Sequence, residues 1–193
     1  MRRVVLIGDS IRIGYQAAVE RELAGRAEVW APSENGGTSE NVLAHLDEWV
    51  IARRPDIVHL NCGLHDLKVE RGQDERLIPL PRYRANVEMI LRRIRSESTA
   101  LIIWATTTPV NEQWHHERKE FDRLECDVVA YNRAAAEVAD RMEIPIDDLY
   151  AAVMERGRDA MLSPDGVHYC EAGYELLGGA VAEAIRAHLD LNG

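Results

Sequence analysis

The sequence predicts an α/β protein, a three-layer α/β/α sandwich built on a five-stranded parallel sheet. Two observations lead there. Short apolar runs rich in β-branched residues alternate with longer stretches in which apolar residues recur every three or four positions. The polar and glycine-rich segments fall directly after the apolar runs, where open α/β sheets place their ligand sites. Strands separated by helices are joined by right-handed crossovers, which makes the sheet parallel and covers both of its faces.

The strands are expected, in order, at Val4 to Ile7, Val29 to Ala31, Ile57 to Leu60, Leu101 to Thr106 and, more weakly, around Ile144 to Ile146. A helix is expected to start at Ser10. The next carries Val42, Leu46, Trp49 and Val50 on one stripe, and a third carries Tyr83, Val87, Ile90, Leu91 and Ile94. A fourth is expected through Phe121, Leu124, Val128, Ala135 and Val138, and a last one through Tyr174, Leu177, Val181, Ile185 and Leu189. Leu67 to Pro81 reads as a lid or a long loop. With 193 residues, 46% hydrophobic and 29% charged, and no repeat or linker, residues 1–193 are expected to form one domain.

A formal net charge of −10 and the lack of any Lys/Arg run argue against nucleic acid or an anionic membrane surface as partner. Met1-Arg2-Arg3 is followed by only four apolar residues before Gly8, too few for a signal peptide, and no stretch is long enough to insert in a bilayer. A cytoplasmic protein is the expectation. Cys62, Cys126 and Cys170 lie far apart without Cys-x-x-Cys spacing and are expected to be free thiols. Adjacent His115 and His116 point different ways on any regular element, so Trp114 to Glu117 is not expected to hold a metal; no cofactor is implied.

Four segments at strand ends bear chemistry. Gly8-Asp9-Ser10 sits between a buried strand and a helix start, where outward-pointing amides can stabilise a developing negative charge; standing alone, such a tripeptide is more often only a helix cap. Gly36-Gly37-Thr38-Ser39 either ends a loop, with Ser39 capping the next helix, or lets a backbone amide approach a substrate closely. Asn61 to Asp66 offers polar side chains that can donate to an oxyanion or tie down their own loop. Ser163-Pro164-Asp165-Gly166 is a turn with His168 three residues after Asp165. At that spacing an Asp can orient an imidazole, freeing its other nitrogen to take a proton from a serine.

Together these segments resemble the block pattern of the SGNH, or GDSL-type, hydrolase superfamily across nearly the whole chain. That pattern has Gly-Asp-Ser after the first strand, a glycine after the second, Gly-x-Asn-Asp after the third and Asp-x-x-His before the last helix. The resemblance implies the flavodoxin-like fold of that superfamily and a serine hydrolase acting on a small-molecule ester, with acetyl groups on a carbohydrate among the substrates it covers. It implies Ser10 as nucleophile, Asp165 as orienting acid and His168 as general base, with the amides of Ser10 and Gly36 in the oxyanion hole. The third block departs from the pattern: Gly63-Leu64-His65-Asp66 has a histidine where the family has asparagine. The third donor is then His65, whose tautomer Asp66 can select, or Asn61 at the strand end, with His65 preferred because it holds the matching position.

Trp114 and His116, on the insert after the fourth strand, are expected to overhang the site and contact substrate. The lipase elbow Gly-x-Ser-x-Gly is absent, since Arg12 stands at its last place. Acyl-chain length and leaving group are open at this stage, with thioesterase or lysophospholipase action as alternatives to a small-acyl esterase. An acyltransferase on the same acyl-enzyme and a carbohydrate-binding module that kept only the fold are the competing classes.

Overall fold

The structure, a computed structural model, describes residues 1–189. In chain order it contains β1 (Arg2–Ile7), α1 (Ser10–Glu22), β2 (Ala27–Trp30), α2 (Ser39–Ala44), α3 (Leu46–Trp49), a 3₁₀ turn (Ile51–Arg53), β3 (Ile57–Leu60) and β4 (Val69–Glu70). There follow α4 (Leu80–Glu97), β5 (Leu101–Ala105), α5 (Glu112–Arg118), β6 (Phe121–Asp122), α6 (Glu125–Arg141), β7 (Ile146–Asp147), α7 (Leu149–Arg156), α8 (Arg158–Met161) and α9 (Glu171–Leu189). Five strands form one parallel sheet in the order β2-β1-β3-β5-β7.

The apolar runs become strands because both faces of the sheet are covered. Every residue of β3 and the last four of β1 are buried, and each fully buried aliphatic side chain contributes about 1.5–3 kcal/mol. On one side α9 packs against α1 and α7; on the other α4 packs against α6 and α2. In register, Val4 to Ile7 pair with Ile57 to Leu60, which pair in turn with Leu101 to Trp104. The three central strands therefore end at one level. Gly8-Asp9-Ser10, Asn61 to Asp66 and Thr106 to Pro109 emerge side by side at the carboxyl edge of the sheet.

The structure departs from the sequence reading at four elements. The second helix is broken into α2, α3 and the 3₁₀ turn at His45, whose backbone (φ −101°, ψ 8°) leaves the helical well and whose ring stacks on Trp49 at 4.5 Å. Thr38 rather than Ser39 caps α2, its hydroxyl accepting from Asn41 N–H. The edge strand β7 begins only at Ile146, because Ile144 N–H is still held by Ala139 O at the exit of α6. Phe121 and Leu124 do not belong to a helix: Phe121 lies in β6, which pairs antiparallel with β4, and Leu124 precedes α6. Within Leu67 to Pro81, Val69 and Glu70 form β4 and Arg76 bridges back to Val69, α4 begins at Leu80, and the remainder is loop. The inserts after β3 and β5 zip into a ribbon beside the sheet edge. Among the described residues no helix is long and apolar enough to cross a membrane.

Candidate active site

Ser10 is the first residue of α1. Asp9, extended at φ −94° and ψ −150°, caps the helix by accepting from Ile11 N–H at 2.9 Å. The Ser10 amide has no intrahelical acceptor at this position and lies at the positive end of the helix.

Opposite it, the segment from Leu162 to Tyr169 closes as a tight turn between two bridged residues. Gly166 has φ +75°, and a Cβ there would meet Asn111 O at 2.4 Å and His115 N at 2.8 Å. Glycine is therefore required both by the left-handed backbone and by the close approach of α5. One carboxylate oxygen of Asp165 accepts from Ser163 Oγ–H (2.8 Å), His168 N–H (2.9 Å) and Val167 N–H (3.1 Å). The other accepts from His168 Nδ1–H at 2.6 Å. Burial opposes the charge on Asp165, but these hydrogen bonds outweigh it and hold the carboxyl well below the usual carboxylate range.

Residues 158 positions apart in the chain then meet: Ser10 Oγ–H donates to His168 Nε2 at 2.9 Å. With Nδ1–H given to Asp165, the imidazole is in the tautomer that accepts from serine. The ring stays reachable, with 37% of the His168 side chain exposed.

The candidate oxyanion donors separate clearly. Asn61 donates its side-chain amide to Ala105 O at 2.8 Å and, at 3.4 Å, to Thr107 Oγ1, so both N–H groups are engaged with the end of β5. Gly36 donates its backbone N–H to Gly8 O at 3.0 Å, and a Cβ at Gly36 would lie 2.6 Å from that same oxygen. The glycine lets the second block pass directly against the first, with its amide already paired. His65, by contrast, is half-buried, and its ring makes no hydrogen bond among the described residues. Burial lowers its pKa, helped by Arg123 and His168 and opposed by Asp9, so the imidazole is neutral at pH 7 and keeps one N–H to donate.

Asp66 does not orient His65. It is fully buried and turned towards the second block, accepting from the amide of Ser39 at 3.0 Å and from its hydroxyl, while Asn86 donates to Ser39 Oγ at 2.9 Å. It locks two blocks together. Burial pushes its pKa up to about 6 despite the bonds from Ser39. Because the folded chain holds this proton more tightly than the unfolded one, the associated stability is present below about pH 4 and is lost as pH rises through 6. Urea titrations from pH 4 to 7 should show Asp66→Asn, which cannot titrate, gaining up to about 3 kcal/mol relative to wild type across that window. A pH-independent difference would contradict the assignment.

A family profile described as GDSL-like Lipase/Acylhydrolase matches residues 6–176. The chain belongs to that family. This GDSL-like acylhydrolase is accordingly an ester-hydrolysing enzyme, and its fold has solved counterparts. The lipase/acylhydrolase from Enterococcus faecalis is 28% identical, with TM-score 0.80 over 97% of this chain and 96% of that one. Axe2, an acetylxylan esterase from Geobacillus stearothermophilus, is 24% identical, with TM-score 0.77 over 95% and 94%. A GDSL-like lipase from Bacteroides thetaiotaomicron is 20% identical, with TM-score 0.77 over 96% and 88%. The last two likenesses speak to fold. No curated protein sequence matches.

In this GDSL-like acylhydrolase the insert carrying α5 buttresses the Asp165 turn from behind. Asn111 N–H donates to Gly166 O at 2.8 Å, and His115 Nδ1–H donates to Asp165 O at 3.3 Å. His115 is fully buried, and burial pushes its pKa down to about 4. Trp114 stands against Gly166 and packs on the core. His116 gives its Nδ1–H to Asp122 on β6 at 2.7 Å, with 60% of its side chain exposed. The two adjacent histidines diverge, and among the described residues no three His, Cys, Asp or Glu side chains cluster as metal ligands. Cys62, Cys126 and Cys170 are free, and burial raises the Cys62 thiol well above its usual range. One residue beside the site has no counterpart in the sequence reading. Arg123 is buried and donates Nε–H to Leu64 O at 2.7 Å. Its position next to Phe121 and Leu124, in what reads as a helical stripe, hides it among solvent-facing charges.

Proposed function

We propose that this acylhydrolase cleaves a small acyl ester through an acyl-enzyme on Ser10. The observation that supports it is the continuous hydrogen-bond chain from Ser10 Oγ through His168 to the ionised Asp165. His168 Nε2 takes the Ser10 proton as Oγ bonds to the ester carbon and the carbonyl electron pair moves onto oxygen. The oxyanion is met by the Ser10 amide and the N–H of neutral His65. As the tetrahedral adduct collapses, the C–O bond to the alcohol breaks and His168 delivers the proton to the departing oxygen. Water then repeats the two steps and frees the acid. Asp165 remains a carboxylate throughout and stabilises the imidazolium.

A small acyl group suits the polar set around Ser10, namely His65, His168 and Asp165. The presence of acetylxylan esterases among the fold neighbours agrees with an acetyl-sized group. A fluorophosphonate probe should label Ser10 and no other residue, and Ser10→Ala should abolish labelling together with hydrolysis of p-nitrophenyl acetate. Labelling elsewhere, or ester hydrolysis that survives Ser10→Ala, would sink the assignment. Extending the p-nitrophenyl series from acetate to decanoate should give kcat/KM falling with chain length.

A further inference from the structure

The proposed hydrolysis leaves Arg123 without a task, and its surroundings call for one. It lies between β6 and α6 and is only 7% exposed. Nε–H is committed to the carbonyl of Leu64, the residue before His65, and the guanidinium rests 5.0 Å from the centre of the Phe121 ring. Its two terminal nitrogens have no hydrogen-bond or ion-pair partner among the described residues, yet neither is sealed from solvent. A desolvated guanidinium is costly unless an anion meets it.

The neighbouring carboxylates do not serve. Asp9 and Asp165 are within electrostatic reach, but neither is at ion-pair distance. Asp165 spends its oxygens on His168, Val167 and Ser163, and Asp9 caps α1 with one oxygen and buries the other. Lys68 stands over the same Phe121 ring at 4.2 Å, paired with Glu70 at 2.7 Å. Arg123, with the Glu70-paired Lys68 beside it, thus adjoins His65 in a protein of net charge −10.

We propose that Arg123 is an anion-recognition residue of the substrate site, taking a carboxylate that the ester carries close to its scissile bond. The proposal rests on hydrolysis at Ser10 as described above. A guanidinium presents parallel N–H groups in a fixed fork that matches a planar carboxylate. It is charged in the resting enzyme, as suits an anion already present in the ground state. The developing oxyanion has its own donors at Ser10 and His65. The carboxylate can belong to the acyl group or to the alcohol, and two substrate pairs separate these: p-nitrophenyl hemisuccinate against p-nitrophenyl butyrate, and acetoxyacetate against acetoxyacetamide.

In at least one pair the charged ester should have the higher kcat/KM by roughly 10- to 100-fold, the range of a hydrogen bond to a charged group. That preference should shrink as salt rises. In Arg123→Gln the ratio within that pair should fall towards one, with the loss carried by KM of the charged ester. Arg123→Lys keeps the charge and much of the apolar stem, serves if the glutamine variant fails to fold, and should show an intermediate ratio. Wild-type enzyme with no preference in either pair overturns the proposal, as does an equal loss on charged and neutral esters, which would put the guanidinium at the oxyanion or in the scaffold. Either result leaves the acylhydrolase reading standing. That reading fails separately if the wild type hydrolyses none of the four esters and Ser10 takes no fluorophosphonate.

Discussion

His168→Ala should lower kcat for p-nitrophenyl acetate by about 10⁴- to 10⁶-fold with a small change in KM, since removing one member of a nucleophile–base pair costs nearly as much as removing the whole set. For the same reason Ser10→Ala/His168→Ala should be no slower than either single variant. The 2.9 Å bond from Ser10 to His168 makes the two side chains one functional unit. Asp165→Asn tests the other half of the chain. Its amide keeps the shape of the turn but can present N–H to Nδ1, which favours the wrong tautomer, and a loss of roughly 10⁴-fold in kcat is expected. Steady-state kinetics with circular dichroism on each variant decides the matter. A His168→Ala enzyme within tenfold of wild type would remove His168 from the reaction, and additive losses in the double variant would mean that the two side chains do not act as one unit. Because hydrogen bonds hold Asp165 well below the usual carboxylate range, its protonation should not contribute to any loss of rate between pH 5 and 8.

His65→Ala should reduce kcat by about 10²- to 10³-fold at nearly constant KM, the effect of deleting one oxyanion donor. Asn61→Ala should behave differently. Its amide is bound to Ala105 O and Thr107 Oγ1, so the expected change is a lower unfolding midpoint, worth about 1 kcal/mol per buried hydrogen bond, with kcat little affected. His65→Asn, which restores a side-chain amide, should recover much of what His65→Ala loses. If instead Asn61→Ala carries the kcat loss and His65→Ala does not, the donor has been assigned to the wrong residue. A boronic acid that mimics the tetrahedral adduct gives an independent readout: its affinity should fall in parallel with kcat in His65→Ala.

The parts of the fold legible in the chain are those with local or periodic causes. Val4 to Ile7 and Ile57 to Leu60 announce strands because a sheet covered on both faces needs uninterrupted apolar runs, and the stripes of α4 and α9 announce helices because only one face is covered. Failures fall where a tertiary contact overrode the pattern. Phe121 fits a helical stripe with Val128 by spacing, yet it pairs with Glu70 in a ribbon that neither insert signals alone.

The site divides in the same way. Ser10 at a helix start and Asp165 three residues before His168 are local arrangements, and the order of the blocks along the chain is enough to suggest that they meet. Which groups are free to act is another matter. Gly36 N–H is taken by Gly8, the amide of Asn61 by Ala105, and the carboxylate of Asp66 by Ser39. These partners lie 27 to 44 positions away in the chain. The sequence by itself thus determined the parallel sandwich and the family, and it pointed to Ser10 after β1 and to Asp165 and His168 before the last helix. Only the tertiary structure decided that, among the described residues, the His65 ring is left unpaired and buried Arg123 has no carboxylate at ion-pair distance. The physical reason is that a donor can meet an incoming substrate atom only if the fold has not already satisfied it, and in a parallel sheet the satisfying groups come from neighbouring strands, distant along the chain.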